Sequence, residues 1–181
     1  MSAWQSGAPK WSTRISFKAN LLVGAGFIML QGLVLLAMGQ PAICECGYVR
    51  FWSGAVLGPE NSQQLTDWYT YTHVIHGLAF YLLLWLMAPA SPIGLRFALA
   101  VGLEAGWEVF ENTPLIINRY REAALAQGYF GDSVINSVSD TVASVGGFVL
   151  ARTLPVWTIG VLNIIQLIYP SKAISNWQVG G

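Results

Sequence analysis

The sequence predicts an all-α fold, a polytopic transmembrane helical bundle with four spans plus a short fifth. Two observations carry this expectation. Of the 181 residues 54% are hydrophobic and only 10% are charged, which is far from the mix of a soluble globular domain. Apolar runs also recur at the length needed to cross about 30 Å of hydrocarbon at about 1.5 Å per residue. A formal net charge of zero, with no basic stripe interleaved with aromatics, excludes a nucleic-acid partner. No internal repeat or low-complexity segment is evident, so one compact bundle in the lipid bilayer is expected.

The runs fall at residues 20–39, 72–88, 94–113 and 132–150, with a short one at 156–169 that is only marginally long enough to span. They define an N-terminal cytoplasmic segment over 1–19, a membrane domain over 20–169 and a C-terminal tail over 170–181. Lys10, Arg14 and Lys18 precede the first run, Arg96 lies at the turn before the third and Arg152 follows the fourth. Basic residues in short loops mark the cytoplasmic side, so the N-terminus is placed there, against the opposing vote of Arg50, Arg119 and Arg121. The first run resembles a signal peptide in its flanks, yet it is too long for a typical apolar core of one.

On this topology Cys44 and Cys46, in ICECG, lie on the oxidising face. A bridge between them is expected to be strained, and two thiolates with no nearby His make a weak soft-metal site. Small buried or partnered thiols are the remaining expectation.

The third span contains LEAGWEVFENTP, residues 103–114, which carries three glutamates. At 100° per residue Glu104, Glu108 and Glu111 fall within about 60° of one another, so they form one stripe that faces protein or water. Glu104 lies about halfway across the bilayer, and Glu108 and Glu111 step outward by about 6 and 10 Å. The fourth span, in GDSVINSVSDTVASVGG, places Asp132, Asn136 and Asp140 at i, i+4 and i+8. Ser139, Ala143 and Gly147 continue that face as small residues that admit a close neighbour. Running the opposite way, Asp132, Asn136 and Asp140 match the depths of Glu111, Glu108 and Glu104. The second span opens with DWYTYTHVIHG, in which Asp67 precedes the membrane and His73 and His76 share one helical side.

Three helices therefore bring His, Glu, Asp and Asn to the same outer half of the bilayer. Asp67, Glu104, Glu108, Glu111, Asp132 and Asp140 outnumber the nearby cations Arg119 and Arg121. Uncompensated charges in hydrocarbon are too costly, so protons, a metal ion or a cationic ligand must offset them. His73, His76, Glu108 and Asp132 are the candidate ligands of a divalent metal, zinc, manganese or iron. Glu111 is the candidate catalytic base, and Glu104 and Asp140 are the carboxylates placed for proton or ion coupling at the midplane. The competing expectation is a protonated network in which the acids hydrogen-bond to Asn112, Asn136 and the serines. Arg119 and Arg121 could fork a lipid or polyprenyl phosphate at the surface, with Asp67, Asn112 and Asn136 completing the ligand pocket, or could pair with Glu122 and Asp132.

The strings ICECGYVRFWSG, NSQQLTDWYTYTHVIHG, EAGWEVFENTPLIINRYREA, YFGDSVINSVSD and LNIIQLIYPSKAISNWQ resemble a bacterial membrane-protein family catalogued as domain of unknown function 2585, over about residues 40–178. The resemblance implies a multi-pass protein of the bacterial inner membrane, chiefly alphaproteobacterial, with no established activity. Members of that family carry a longer stretch between the segments ARTLPVW and LNIIQLIYP, whereas Trp157 and Leu162 are nearly adjacent here. More distantly, Asp67, His73, Glu104, Glu108, Arg119, Asp132 and Asn136 are similar in arrangement to VanZ-like membrane proteins, which implies a role at the envelope but no reaction.

Three classes of function fit these residues. One is a membrane-embedded enzyme with a bound metal, and another is an ion-coupled small transporter, for which a homo-oligomer would compensate the small number of spans. The third is a non-enzymatic accessory subunit of a membrane complex at the envelope. No nucleotide-binding loop, serine-nucleophile elbow or zinc-protease helix occurs.

Overall fold

The computed structural model describes residues 15–55, 58–122 and 129–155, together with 157, 158 and 161. The expected tail over 170–181, residues 1–14 of the N-terminal segment with Lys10 and Arg14, and most of the short run at 156–169 with its junction at Leu162 lie outside them.

Five helices form and no strand does among the described residues: α1 (Phe17–Ala37), α2 (Thr70–Met87), α3 (Ile93–Glu111), α4 (Pro114–Glu122) and α5 (Val134–Thr153). Three of them, α1, α2 and α5, are long and apolar enough to cross a membrane. The starts are dictated locally. Ser16 accepts a hydrogen bond from the Ala19 amide at 3.1 Å, and Ser133 accepts one from the Asn136 amide at 3.3 Å, each satisfying an orphan donor of a first turn. Helix α2 lacks a side-chain cap on its own N-cap residue. Asp67 substitutes, accepting from the amides of Tyr69 at 2.7 Å and Thr70 at 3.3 Å. Pro92 and Pro114 stand at the starts of α3 and α4, where a missing N–H costs nothing.

The helix between α3 and α5 was not expected, because NRYRE reads as a loop. Pro114 at its first position and the arginines near its end, which suit the negative end of the helix dipole, favour a short helix there. Asp132 also falls two residues before α5 and not inside it.

Helix α5 packs most extensively on α2, and α1 on α3, while α3 and α5 join the two pairs. Glycine makes the α2–α5 approach possible. A Cβ added to Gly77 would come within 1.9 Å of the Ser144 carbonyl oxygen, and one on Gly147 within 2.1 Å of the Val74 carbonyl oxygen. Such backbone-to-backbone contact is how membrane helices gain packing energy where burial of apolar surface supplies little. Leu78 and Ala151 meet just below, flanked by Tyr81, Leu82 and Leu154.

The segment between α1 and α2 folds back as a cap over the start of α5. Pro41 and Ala42 carbonyls accept from the Val134 and Ile135 amides at 2.8 and 3.2 Å, and the Ser62 carbonyl accepts from Ser133 at 3.1 Å. Cys44 and Cys46 form a disulfide within this cap. Separate thiols were expected; a turn closed by the Gly47 amide on the Cys44 carbonyl at 3.0 Å, with Gly47 at φ +81°, brings the two residues together. Their Cα atoms are 5.1 Å apart, inside the ordinary range for a bridge.

Candidate functional site

His73 lies at the centre of the polar interior. It sits one turn into α2 and is buried, and carboxylates from two other helices surround its ring. Nδ1 is 2.6 Å from Glu104 Oε1 and 3.0 Å from Glu108 Oε1, both on α3, and Nε2 is 3.7 Å from Asp140 Oδ2 on α5. His76, one turn deeper, places Nδ1 3.1 Å from Glu104 Oε2, so a single carboxylate receives both imidazoles. Glu104 and Glu108 are 0% and 1% exposed, whereas the His76 side chain is 31% exposed, between Phe80 and Trp107.

The i, i+4 spacing explains the convergence. Glu104 and Glu108 project from one face of α3, and Asn136 and Asp140 from one face of α5, as the sequence reading requires. Two sets of donors are close enough to hold one metal ion: His73, His76 and Glu104, and His73, Glu108 and Asp140. Asp132, grouped from the sequence with His73, His76 and Glu108, is engaged elsewhere. Its Oδ2 accepts from Asn112 Nδ2 at 2.7 Å, its Oδ1 from the Tyr129 hydroxyl at 3.0 Å, and its own amide donates to Asn112 Oδ1 at 2.7 Å.

Two layers result. The inner one holds the histidines, Glu104, Glu108 and Asp140. The outer one holds Asp132, Asn112, Asn136 and Asp67 under the α1–α2 cap, where Asn136 Nδ2 donates to the Gln64 carbonyl at 2.8 Å and approaches Asp67 Oδ2 at 3.5 Å. Ser137 stitches the layers together, donating to Glu108 Oε2 at 2.6 Å while its Oγ lies 3.4 Å from Asn112 Nδ2. Glu111 ends α3 half-buried beside Tyr120. Arg119 and Arg121 are exposed on α4; Arg121 Nε donates to the Tyr129 carbonyl, and neither arginine pairs with Glu122 or Asp132 among the described residues.

The acids in the loops outside the spans carry the signature of their setting. Burial pushes the Asp132 carboxyl up to about 8, helped by the nearby Glu111 charge and opposed by the Asn112 hydrogen bond. Burial also raises Asp67, against the pull of the Tyr69 and Thr70 amides. Tyr129 is raised by burial and by the Asp132 charge it faces.

Several residues of the interior carry no charge and escaped the sequence reading. Gln63 and Gln64 are fully buried: Gln63 Nε2 donates to the Gly131 carbonyl at 2.7 Å, and Gln64 Oε1 accepts from the Arg50 amide at 2.6 Å. Gln31 on α1 accepts from the Thr141 hydroxyl at 2.8 Å. On α5 the buried small residues are Ser137, Thr141, Ser144 and Gly147, while Ser139 and Ala143 are only half-buried. The recurrence of Ser and Thr every three or four residues along α5 was the signal available.

Residues 35–162 match the family model described as protein of unknown function DUF2585. The chain belongs to this family. Relatives named UPF0314 protein include one from Sphingopyxis alaskensis, 44% identical over 183 residues that cover 91% of this chain and 97% of the relative. Another, from Paracoccus denitrificans, is 43% identical over 189 residues, covering 94% and 92%. A third, from Agrobacterium fabrum, is 44% identical over 174 residues, covering 86% and 88%. The family is bacterial and uncharacterised. No solved structure matches the chain.

Proposed function

We propose that this is an integral protein of the bacterial inner membrane, with its N-terminus in the cytoplasm, that holds a divalent metal ion in the outer half of the bilayer. The ligands are His73, Glu108 and Asp140. The separation of His73 Nε2 from Asp140 Oδ2 carries this reading: at 3.7 Å it is too long for a hydrogen bond and fits two donors of one ion at about 2.1 Å each. Among the described residues Glu108 Oε1 and Asp140 Oδ1 are buried without hydrogen-bond partners; Glu108 Oε1 lies 3.0 Å from Nδ1, so its carboxylate would turn toward Nε2 to join the ion. Glu104 takes the Nδ1 proton and fixes the tautomer that leaves Nε2 free, the usual arrangement of a carboxylate behind a ligating histidine.

Zinc, manganese or iron suits one imidazole with two carboxylates. Arg119 and Arg121, exposed on α4 above this layer, are placed to receive the phosphate of a lipid whose headgroup approaches the outer face. Metal analysis of the purified chain, beside His73→Ala and Asp140→Asn, tests the reading. About one ion per chain is expected in the parent and a loss of tenfold or more in either variant. A parent that folds and carries no stoichiometric metal, even after incubation with zinc, manganese or ferrous iron, overturns it.

One observation favours a second reading, a proton-coupled carrier. Glu104 receives both His73 and His76, and His76 reaches the outside of the bundle, so a hydrogen-bonded route runs from the lipid-facing edge to His73, with Asp140 one 3.7 Å step beyond it. Proton-driven uptake into proteoliposomes that is lost in Glu104→Gln would establish it.

A further inference from the structure

All nine side-chain carboxylates of the chain lie at the bundle's middle or toward one end of it: Glu45, Glu60 and Asp67 in the cap, Glu122 and Asp132 at and after α4, Glu111 at the end of α3, and Glu104, Glu108 and Asp140 in the polar interior. The other end, where the short α2–α3 turn and the last turn of α5 meet, carries Lys18, Arg96 and Arg152 with no side-chain carboxylate near them. The nearest acid along α3, Glu104, is eight residues from Arg96, about 12 Å away along the helix axis, and is committed to the two histidines.

Arg96 is not simply a surface charge. Its Nε and Nη1 atoms are buried and have no hydrogen-bond partner among the described residues. Its guanidinium sits 5.9 Å above the Tyr81 ring on α2, and Arg152 on α5 is close enough to add its field there. Two N–H groups in a planar fork that no described residue fills, beside a second cation, are the donor set that suits a pair of phosphate oxygens. The same end exposes Leu86 and Met87 at the close of α2, surface suited to an acyl chain.

We propose that Arg96 and Arg152 bind the phosphodiester of an anionic phospholipid between α2, α3 and α5, with the Tyr81 ring as the floor under the Arg96 guanidinium. The site lies at the opposite end of the bundle from the proposed metal ligands and is independent of them. Basic pockets between membrane helices take acidic headgroups in this way, each cation contributing about a fivefold gain in binding.

Native mass spectrometry of the detergent-solubilised full chain, titrated with phosphatidylglycerol or phosphatidylcholine, tests the assignment. One phosphatidylglycerol per chain is expected to be retained in preference to phosphatidylcholine. Arg152→Gln, at an exposed position that tolerates change, should weaken retention about fivefold. Arg96→Lys should weaken it as well, because an ammonium keeps the charge and loses the fork. Arg50→Gln, in the cap, should leave it unchanged. Equal retention of the two lipids by the parent, or an unaltered preference in Arg152→Gln, overturns the proposal. Displacement of the lipid by millimolar inorganic phosphate would do the same, since it would make free phosphate the ligand.

Discussion

Helices α1 and α5 are of similar length and both apolar enough to cross a membrane, yet they are used in opposite ways. In α1 22% of the apolar window is buried inside the bundle, and in α5 44%. The few buried positions of α1 are Asn20, Gly24, Gln31 and Leu35, whereas α5 buries Asn136, Ser137, Asp140, Thr141, Ser144 and Gly147 along a continuous face that ends in Phe148 and Ala151. Apolar side chains of α1, such as Leu22, Met29 and Leu33, point outward. The lesson is that most of the interior of α5 is specified by polar and small residues and most of the surface of α1 by large apolar ones, largely the inverse of a soluble core.

The sharpest way to break the contrast is to separate α5 from its partner. Gly77→Val should abolish folding of the α2–α5 pair, because its side chain would have to occupy the place of the Ser144 carbonyl; the loss should exceed the ~1–3 kcal/mol of ordinary overpacking. Unfolding in mixed micelles would show it as loss of the cooperative transition. Next in size is Asn112→Ala, which strips the partner from buried Asp132 and should cost about 1–3 kcal/mol in the same assay.

Asp132 also predicts a pH dependence. Its carboxyl is raised to about 8 in the folded chain from 3.8, so folding retains a proton across that interval. The stability associated with that proton is full below about pH 4 and declines as pH rises toward about 8. Asp132→Asn should flatten this slope, and an equally steep slope in that variant would show that the titration belongs to another group. Thr141→Val, removing the hydroxyl that reaches Gln31 between α5 and α1, should cost about 0.6 kcal/mol. Leu33→Ala, on the outward face of α1 at 65% exposure, should stay within about 0.5 kcal/mol of the parent. If Leu33→Ala proved the more damaging of these two, the contrast between the helices would be reversed.

The sequence made the helical architecture legible because composition and run length are global properties, and four of the expected runs correspond to α1, α2, α3 and α5 to within a few residues. The stripes that carry Glu104 with Glu108 and Asn136 with Asp140 were legible as well, since charges inside apolar runs stand out and helical phase fixes their direction, but the sequence set Glu104 and Asp140 apart at the midplane, whereas both lie against His73. What the sequence hid is neutral and long-range. Gln63 and Gln64 look like solvated loop residues in NSQQLTD and become buried only because the chain doubles back over α5. Asp132 has the right phase for the inner layer, but a tertiary partner, Asn112, holds it in the outer one. The Cys44–Cys46 bridge depends on a turn at Gly47 that spacing alone does not reveal.

The cap over α5 carries a consequence for how the chain is made. Residues 41, 42 and 62–64 wait for partners at Gly131, Ser133, Val134, Ile135 and Asn136, which leave the ribosome about seventy to ninety residues later. Until the α5 segment has emerged and inserted, the earlier loop holds open acceptors and an unfilled socket, so biogenesis is completed from the far end backward. A chain truncated before Gly131 would deliver α1 and α2 to the bilayer with their outer surface unsealed, a recognisable flag for membrane quality control.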